Sequence, residues 1–395
     1  MLAAKLTIFL LKKFFANVQD GDLIVELPSG QKVTLASKNA TAARVSVKLN
    51  SYKLVPLLFL KGGLGAGESY IKGYWCTPDL KKILEFAAIN RTSLSKEFKG
   101  YNIAKLFDKA LHFFRQNSKN RAKKNIAAHY DLGNNFYGQW LDESMTYSSA
   151  IFDDFSDTLL KGQNNKYGRL CDLVELAPDD SVLEIGCGWG GLIEFIKRRY
   201  SCNTKAITIS EEQYKFVTKK NTASASNDKS VVSLCDYRDL RGKFDKILSI
   251  EMIEAVGAKY WPVFFSKLKS SLKNGGVIGL QAITIAEDYY EDYEKNTDFI
   301  QRYIFPGGML PTLEIIKLLS KGAGLKVITG HDYAQHYAAT LEHWRDRFDK
   351  AWPRLKEQGF DDRFRRTWDY YLAYCQAGFS QGMLNVWQLR LEHDS

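Results

Sequence analysis

The decapeptide Val-Leu-Glu-Ile-Gly-Cys-Gly-Trp-Gly-Gly at positions 182–191 decides the fold of this chain. Apolar residues around a single acid, Glu184, predict a buried parallel strand, and the glycines predict a loop directly after it. A helix over about 192–200 is expected next. A strand, a glycine loop and a helix in this order are typical of the ligand-binding turn of doubly wound α/β folds. The sequence therefore predicts that the loop backbone approaches a small molecule closely.

The spacing of the glycines narrows the class of ligand. A nicotinamide fingerprint is G-x-G-x-x-G, whereas Gly186, Gly188 and Gly190 give G-x-G-x-G. With Glu184 ahead of them, the stretch resembles the loop of class I methyltransferases that binds S-adenosyl-L-methionine (SAM). From the G-x-G spacing alone, other nucleotides remain candidate ligands.

Composition sets the broad class of the protein. The chain has 395 residues, 45% hydrophobic and 25% charged, as in a folded soluble protein large enough for two domains. Its six cysteines form no C-x-x-C pair and no metal-binding spacing, which favours a reducing cytoplasm over a disulfide framework. The sequence contains no apolar run of about 18 residues, so no membrane-spanning helix is expected. The apolar segment 2–15 lacks a signal-peptide cleavage site and is expected to pack on its own domain or to lie on a membrane surface.

The net charge of +10 is unevenly distributed along the chain. Residues 1–125 carry 22 Lys and Arg against 8 Asp and Glu, a net charge of +14, whereas the remainder carries −4. A basic front third predicts a polyanionic partner, either anionic lipid or nucleic acid. A solvated lysine-rich surface without a partner is the alternative interpretation.

The periodicity of the chain changes near residue 126, which predicts two domains. Residues 1–115 are expected to form a mixed domain, strand-rich over 20–75 with a glycine cluster at 62–67 and followed by helices. Residues 116–125, polar and basic, are interpreted as a linker. In 126–395, short apolar strands alternate with helices and predict a parallel, doubly wound sheet. The strands are expected to begin at 182 and to lie at 205–209, 231–234, 246–250 and 277–284; the helices before the linker are expected at 79–90 and 102–115.

Seven motifs in order resemble the cyclopropane-fatty-acyl-phospholipid synthase family. They are HYDLGNNFY to MTYSS over 129–149, the glycine loop, TIS with Gln213 over 208–213, DYRD at 236–239, EAVG at 254–257, RYIFPGG at 302–308, and YYL with Cys375 and Trp387-Gln388 over 370–388. The resemblance covers about 126–390 closely, and residues 64–75 look like the family's N-terminal domain. Seven ordered motifs are far more specific than a shared fold.

The resemblance implies a fold and a reaction. The fold is α/β, a class I SAM-dependent methyltransferase with a Rossmann-like sheet, preceded by a smaller mixed α+β domain. The family transfers a methylene unit from SAM to the cis double bond of an unsaturated acyl chain in a membrane phospholipid. The alkene attacks the sulfonium methyl to give a carbocation. A bound bicarbonate then removes a proton from the transferred methyl as the ring closes.

Family position also implies the SAM-binding residues. They are Tyr147, Ser148, Gly186, Gly188, Gly190, Thr208, Ser210, Gln213, Asp236, Tyr237 and Ile250. Thr208, Ser210 and Gln213 are expected near the ribose, and Asp236 and Tyr237 beside the adenine. The stretch 210–213 also matches a helix capping box, which alone would explain Ser210 and Gln213.

Glu254 is the leading candidate for a catalytic residue. The resemblance implies that it holds bicarbonate, that Tyr337 donates a hydrogen bond to the same anion, and that Cys187 and Ile283 offer backbone groups to it. Cys375 matches a cysteine once viewed as the active-site residue of the family. Because alkene alkylation by SAM needs no nucleophile, we expect a buried, inert thiol at Cys375.

Gln281 departs from the family pattern, which has histidine there. Glutamine cannot titrate, but its amide can donate to bicarbonate. The departure implies either a weakened bicarbonate site or another fate for the cation, which would give methyl- or methylene-branched chains.

The expected partners are an unsaturated phospholipid and an anionic membrane surface at the cytoplasmic face, with a homodimer left open and no nucleic acid. The rival functions are a lipid C-methyltransferase, an N-methyltransferase of small amines, and a non-catalytic lipid- or nucleic-acid-binding protein.

Overall fold

The computed structural model describes residues 2–98, 132–222 and 230–394, which fall into two compact units. The first unit joins the N-terminal region to two later segments, 295–304 and 352–382. The second unit holds the rest of the described chain after residue 131. This division differs from the predicted one, in which all of 126–395 formed a single domain. The predicted linker 116–125 and helix 102–115 lie outside the described residues.

The first unit contains a four-stranded sheet in the order β2-β1-β3-β4. Its strands are β1 (Asp20–Glu26), β2 (Lys32–Leu35), β3 (Asn39–Leu49) and β4 (Trp75–Cys76). Strand β1 pairs antiparallel with β2 and parallel with β3. The helices of this unit are Leu2–Phe15, Leu54–Ile71, Leu80–Ile89, Arg91–Phe98, Phe299–Tyr303 and Asp362–Ser380. None of the helices in the described part of the chain is both long and apolar enough to cross a bilayer.

The glycine cluster at 62–67 lies in the helix Leu54–Ile71, whereas the sequence was interpreted as strand-rich there. Gly62 has φ 55° and ψ −132°, which kinks the helix. A Cβ at Gly65 would collide with the carbonyl of Leu57 on the other side of the kink. A Cβ at Gly67 would lie 2.6 Å from the ring of Phe299. These glycines therefore permit close packing inside the first unit, a need that local sequence does not reveal.

The second unit is built on a seven-stranded sheet in the order β10-β11-β9-β8-β5-β6-β7. Its strands are β5 (Ser181–Ile185), β6 (Asn203–Thr208), β7 (Ser230–Leu234), β8 (Phe244–Ile250), β9 (Leu272–Ile285), β10 (Leu325–Asp332) and β11 (Leu384–His393). All pairs from β9 through β7 are parallel, and β11 runs antiparallel to both β9 and β10. This is the predicted doubly wound sheet with an antiparallel addition at one side.

Helices surround this sheet. They are Asn134–Tyr137, Leu159–Leu173, Gly191–Arg199, Glu211–Thr222, Ile253–Val256, Trp261–Ser271, Glu287–Lys295, Leu313–Gly322 and Ala334–Glu357, the last of which belongs to the first unit from Trp352 onward. Strand β5 has β6 on one side and β8 on the other. The chain proceeds from β5 to β6 and β7 on the first side and then returns to β8 on the second, so the strand order reverses at β5. Ligands of such sheets bind outside the carboxyl ends of the strands at this reversal.

Candidate active site

The glycine loop follows β5 as predicted. Gly186, Gly188 and Gly190 have φ values of 87°, 50° and 84°, in the left-handed region that favours glycine. A Cβ at Gly186 would lie 3.1 Å from Met252, whereas a Cβ at Gly188 would meet nothing within 4 Å. The loop therefore closes against protein on one side and presents open space at Gly188. This geometry fits close approach of a ligand to the backbone at Gly188.

Aromatic side chains from the segment 134–147 pack against the loop. The indole Nε1 of Trp189 donates to Asn134 Oδ1 at 2.7 Å, and the Trp189 and Tyr137 rings lie 4.9 Å apart. The Tyr147 ring lies 5.4 Å from Tyr137 and 5.1 Å from Trp344. The predicted SAM-binding residue Tyr147 is thus held by an aromatic cluster within the second unit.

The residues predicted near the ribose satisfy one another. Thr208 Oγ1 donates to Gln213 Oε1 at 2.8 Å, and the backbone N–H of Ser210 donates to Thr208 Oγ1 at 3.1 Å. The backbone N–H of Gln213 donates to Ser210 Oγ at 3.3 Å, which is one half of the capping box that the sequence offered as an explanation. The other half is replaced, because the Gln213 side chain and the Ser210 N–H both bond to Thr208. The three buried side chains are therefore fixed in place, and the Gln213 amide NH2 retains donor capacity.

Asp236 and Tyr237 follow β7, where the adenine was expected. Both Asp236 oxygens accept from Arg238, with the shortest contact at 2.6 Å to Nη2. The buried Tyr237 ring packs edge-on against Phe264, and burial raises the pKa of its phenol to about 12. The Asp236 carboxylate is thus committed to Arg238, and its expected role at the adenine stays a prediction.

The centre of the site is Glu251, a residue that the sequence analysis missed. It follows β8 directly, with a left-handed φ of 49°. Its Oε1 accepts from the Ser149 backbone N–H at 2.9 Å and from Gln281 Nε2 at 2.8 Å. Its Oε2 accepts from the Tyr337 hydroxyl at 2.7 Å. Burial raises the pKa of this carboxyl, and the three hydrogen bonds and Lys166 oppose that rise.

The grouping of Tyr337 and Gln281 around an anion held by Glu254 stays a prediction, because the structure shows both side chains at another acceptor. Both side chains donate to Glu251, because a carboxylate from the chain itself lies within their reach. The signal was present in the sequence: Glu251 stands three residues before Glu254, at the carboxyl end of the same strand. The rule that singled out Glu254 applies equally to Glu251.

Glu254 is half-buried. Its Oε1 accepts the Ile283 backbone N–H at 2.5 Å, and its Oε2 has no hydrogen-bond partner among the described residues. Burial, and then repulsion from Glu251, raise the pKa of Glu254 to about 8. The predicted backbone donor at Ile283 is therefore directed to Glu254. The other one, the N–H of Cys187, donates to the Ile207 carbonyl at 3.1 Å.

A buried lysine, Lys166, interacts electrostatically with Glu251. Lys166 Nζ donates to Ser148 Oγ at 2.7 Å, so the predicted SAM-binding residue Ser148 is fixed from below. Burial lowers the pKa of Lys166 to about 7, while Glu251, Asp142 and Glu184 oppose that shift. Burial raises the pKa of Glu184 to about 8, and Lys166 moderates the rise. Lys166 was not found in the sequence analysis, since a single lysine in a polar helix carries no local signal.

The two remaining predicted positions fall in different places. Ile250 ends β8 opposite Gln281 in the parallel pair of β8 and β9. Cys375 lies in the helix Asp362–Ser380 of the first unit, whereas Glu251 and Glu254 belong to the second. Burial, followed by the charge of Asp298, raises the pKa of the Cys375 thiol. A thiol with a raised pKa is a poor nucleophile, in agreement with the expected inert side chain.

A seven-stranded sheet of this order with a glycine loop after β5 defines a class I SAM-dependent methyltransferase fold. The profile of the family described as mycolic acid cyclopropane synthetase matches residues 117–389. This chain therefore belongs to that family, and the resemblance seen in its motifs is confirmed.

Individual relatives agree with the family. The chain is 36% identical over 349 residues to tuberculostearic acid methyltransferase UfaA1 of Mycobacterium tuberculosis, a match that covers 84% of this chain and 79% of the relative. It is 32% identical to cyclopropane-fatty-acyl-phospholipid synthase of Escherichia coli K12, with 88% of each chain covered. The crystal structure of mycolic acid cyclopropane synthase CmaA1 complexed with SAH and CTAB superposes with a TM-score of 0.65 at 27% identity, covering 68% of this chain and 97% of that one.

Proposed function

We propose that this protein transfers a one-carbon unit from SAM to the cis double bond of unsaturated acyl chains in membrane phospholipids. The product is a cyclopropane fatty acid or, if a hydride shift moves the cation to the methyl-bearing carbon before the methyl loses its proton, a methylene-branched one. The observation that carries the proposal is the pair of half-buried carboxyl groups, Glu251 and Glu254, after β8 and next to the strand that bears the glycine loop. The names of the relatives, a fatty-acyl methyltransferase and a cyclopropane synthase, support a lipid substrate.

The second unit supplies a site for SAM. When bound, SAM provides an electrophilic methyl group on a sulfonium sulfur. The backbone at Gly188 would accommodate its amino-acid tail, since a Cβ there meets no protein atom within 4 Å. Gln213 would donate to the ribose from its capped position after β6, and Tyr147 would cover the cofactor from its aromatic cluster.

The site is suited to a reaction that passes through a carbocation. An alkene that accepts a methyl group becomes positively charged, and both carboxylates and aromatic faces stabilise such a charge. Tyr337 links the two: its hydroxyl donates to Glu251, and its ring lies 6.1 Å from that of Trp344. Water would quench the cation, and the complete burial of Trp344 is consistent with the exclusion of water from this part of the site.

The N-terminal helix Leu2–Phe15 is proposed as a contact with the membrane surface. It buries Leu11, Phe14 and Phe15 in the first unit, as the sequence favoured. Its opposite face exposes Leu6 (56%) and Phe9 (63%). Lys5, Lys12 and Lys13 share that exposed face. Exposed apolar side chains among lysines are typical of a helix that lies on anionic lipid. Six free cysteines agree with the cytoplasmic side of the membrane.

The test is a product analysis with vesicles of a monounsaturated anionic phospholipid, SAM and the purified protein. Mass spectrometry should find one CH2 added per acyl chain, and ozonolysis should then separate the products. A cyclopropane resists cleavage, whereas the C=CH2 double bond of a methylene-branched chain is cleaved to a ketone. Turnover of SAM with a small amine but not with the lipid would contradict the proposal.

A further inference from the structure

The expected bicarbonate does not fit the site, because the groups that would hold it already donate to the protein. Gln281 Nε2 and the Tyr337 hydroxyl donate to Glu251, at 2.8 and 2.7 Å. The Ile283 N–H donates to Glu254, and the Cys187 N–H donates to the Ile207 carbonyl. An anion beside the Glu251 carboxylate needs several donors to offset repulsion. The donors predicted for it are all directed elsewhere.

The orientation of Gln281 is fixed by a second glutamine. Gln388 Nε2 donates to Gln281 Oε1 at 3.0 Å and to the Lys166 carbonyl at 3.1 Å. Since the Gln281 oxygen accepts from Gln388, its NH2 group must face Glu251. Gln281 is therefore a donor to Glu251 and cannot itself receive a proton. The histidine that the family pattern has at this position could titrate, and glutamine removes that option.

We propose that the Glu251 carboxylate, in place of bicarbonate, accepts the proton that the alkylated acyl chain loses. The inference rests on the proposed function, since it assigns the base of that reaction. Glu251 Oε2 accepts a hydrogen bond from Tyr337, and a carboxylate oxygen has capacity for more. Ser149, Gln281 and Tyr337 hold the group from three directions, so its position is fixed before substrate arrives.

The atoms and electrons of the step balance without a further reagent. For the cyclopropane, a C–H bond of the transferred methyl breaks, and its electron pair forms the ring-closing C–C bond to the cationic carbon. For the methylene branch, a 1,2-hydride shift first moves the cation to the carbon that bears the methyl, and the electron pair of a methyl C–H bond then forms the C=C bond. The proton passes to Glu251 and then to solvent when product leaves. A saturated methyl-branched product would need a reductant, which this step does not supply. The step therefore ends at the cyclopropane or the methylene-branched chain.

The charged neighbours of Glu251 favour this role. The hydrogen bond from Tyr337, on the helix Ala334–Glu357, lowers the pKa of Glu251, and so does the charge of Lys166 on the helix Leu159–Leu173. Glu254, whose pKa is about 8, is mostly protonated at neutral pH, which relieves the repulsion between the two carboxyls. Two adjacent acids whose protonation differs are a common arrangement for general acid–base chemistry.

The test compares the wild type with Glu251→Gln and Glu251→Gly. Glycine suits the left-handed backbone at this position and removes the carboxylate, and glutamine keeps its shape without the charge. The wild type should give the same turnover in bicarbonate-free buffer and with added bicarbonate. Glu251→Gln should lose about 100-fold or more in product formation and keep its SAM affinity by calorimetry. Glu251→Gly should lose as much and recover at least partly when bicarbonate is added.

A binding measurement gives a readout that does not depend on activity. The 13C line of labelled bicarbonate should stay sharp with the wild type and broaden with Glu251→Gly. Glu175→Gln, an exposed carboxylate paired with Arg390, is the matched control and should behave as wild type. Bicarbonate binding or dependence in the wild type, or full activity of Glu251→Gln, would overturn the role of Glu251 alone. Absence of any alkylated lipid from the wild type would overturn the proposed function and this role together.

Discussion

Replacing Gly188 by alanine should weaken SAM binding without unfolding the protein. The added Cβ meets no protein atom within 4 Å, so it enters the space proposed for the cofactor. A methyl group forced into a filled contact costs roughly 1–3 kcal/mol. At about 1.4 kcal/mol per tenfold, this is roughly a 5- to 150-fold loss of affinity. Calorimetric titration with SAM measures it directly.

The same substitution has a conformational cost that must be separated from the loss of binding. Gly188 has φ 50°, where a residue with a Cβ is less stable by roughly 1–2 kcal/mol. In a domain of 150–250 residues, each kcal/mol lowers the melting temperature by about 2–4 °C. The protein therefore remains folded at 25 °C, and its SAM affinity can be measured.

Gly275 offers a matched control for this cost. It has φ 74°, and a Cβ there also meets nothing within 4 Å, but it lies near the start of β9 rather than at a carboxyl end of the sheet. Gly275→Ala should show a similar fall in melting temperature and unchanged SAM affinity. Equal affinity of wild type and folded Gly188→Ala would refute the placement of SAM. Equal losses in the two variants would show that destabilisation, not contact, causes the effect.

Three further predictions concern the acids and the membrane helix. Tyr337→Phe removes a charge-assisted hydrogen bond worth about 1.5–3 kcal/mol. The pKa of Glu251 should therefore rise, and the pH–rate profile of product formation should move to higher pH. An unmoved profile contradicts the assignment of Glu251 as the base. Folding raises the pKa of Glu254 from 4.5 to about 8, so this group stabilises the folded state at low pH, and that stabilisation is lost as the pH rises through about 8. Between pH 4.5 and pH 8, the melting temperature of Glu254→Gln should therefore fall less than that of the wild type. Parallel curves of melting temperature against pH would rule this out. Phe9→Glu should reduce flotation with anionic vesicles, because it places an acid on the exposed face of the first helix. Glu212→Gln, a change in the second unit at a side chain that is 43% exposed, should leave flotation unchanged.

Much of the fold follows from patterns that are local in sequence. The strand at 181–185 and its glycine loop were predictable because a buried apolar run and left-handed turns both leave short-range signatures. The division into units was less accessible. Segments 295–304 and 352–382 join the first unit through tertiary packing, as where Phe299 lies against Gly67. No periodicity within those segments indicates which unit they belong to.

The site shows the same limit at the level of single side chains. Family position implied that Tyr337 and Gln281 are hydrogen-bond donors to a bound anion, but motif matching could not say which acceptor they reach in the protein itself. That choice depends on Glu251, whose left-handed backbone directly after β8 is a three-dimensional feature. Gln281 gave the one sequence clue. Because glutamine cannot titrate, Gln281 cannot accept the proton, and we propose that another group does so. The Glu251 carboxylate, which accepts a hydrogen bond from Gln281, is our candidate for that base.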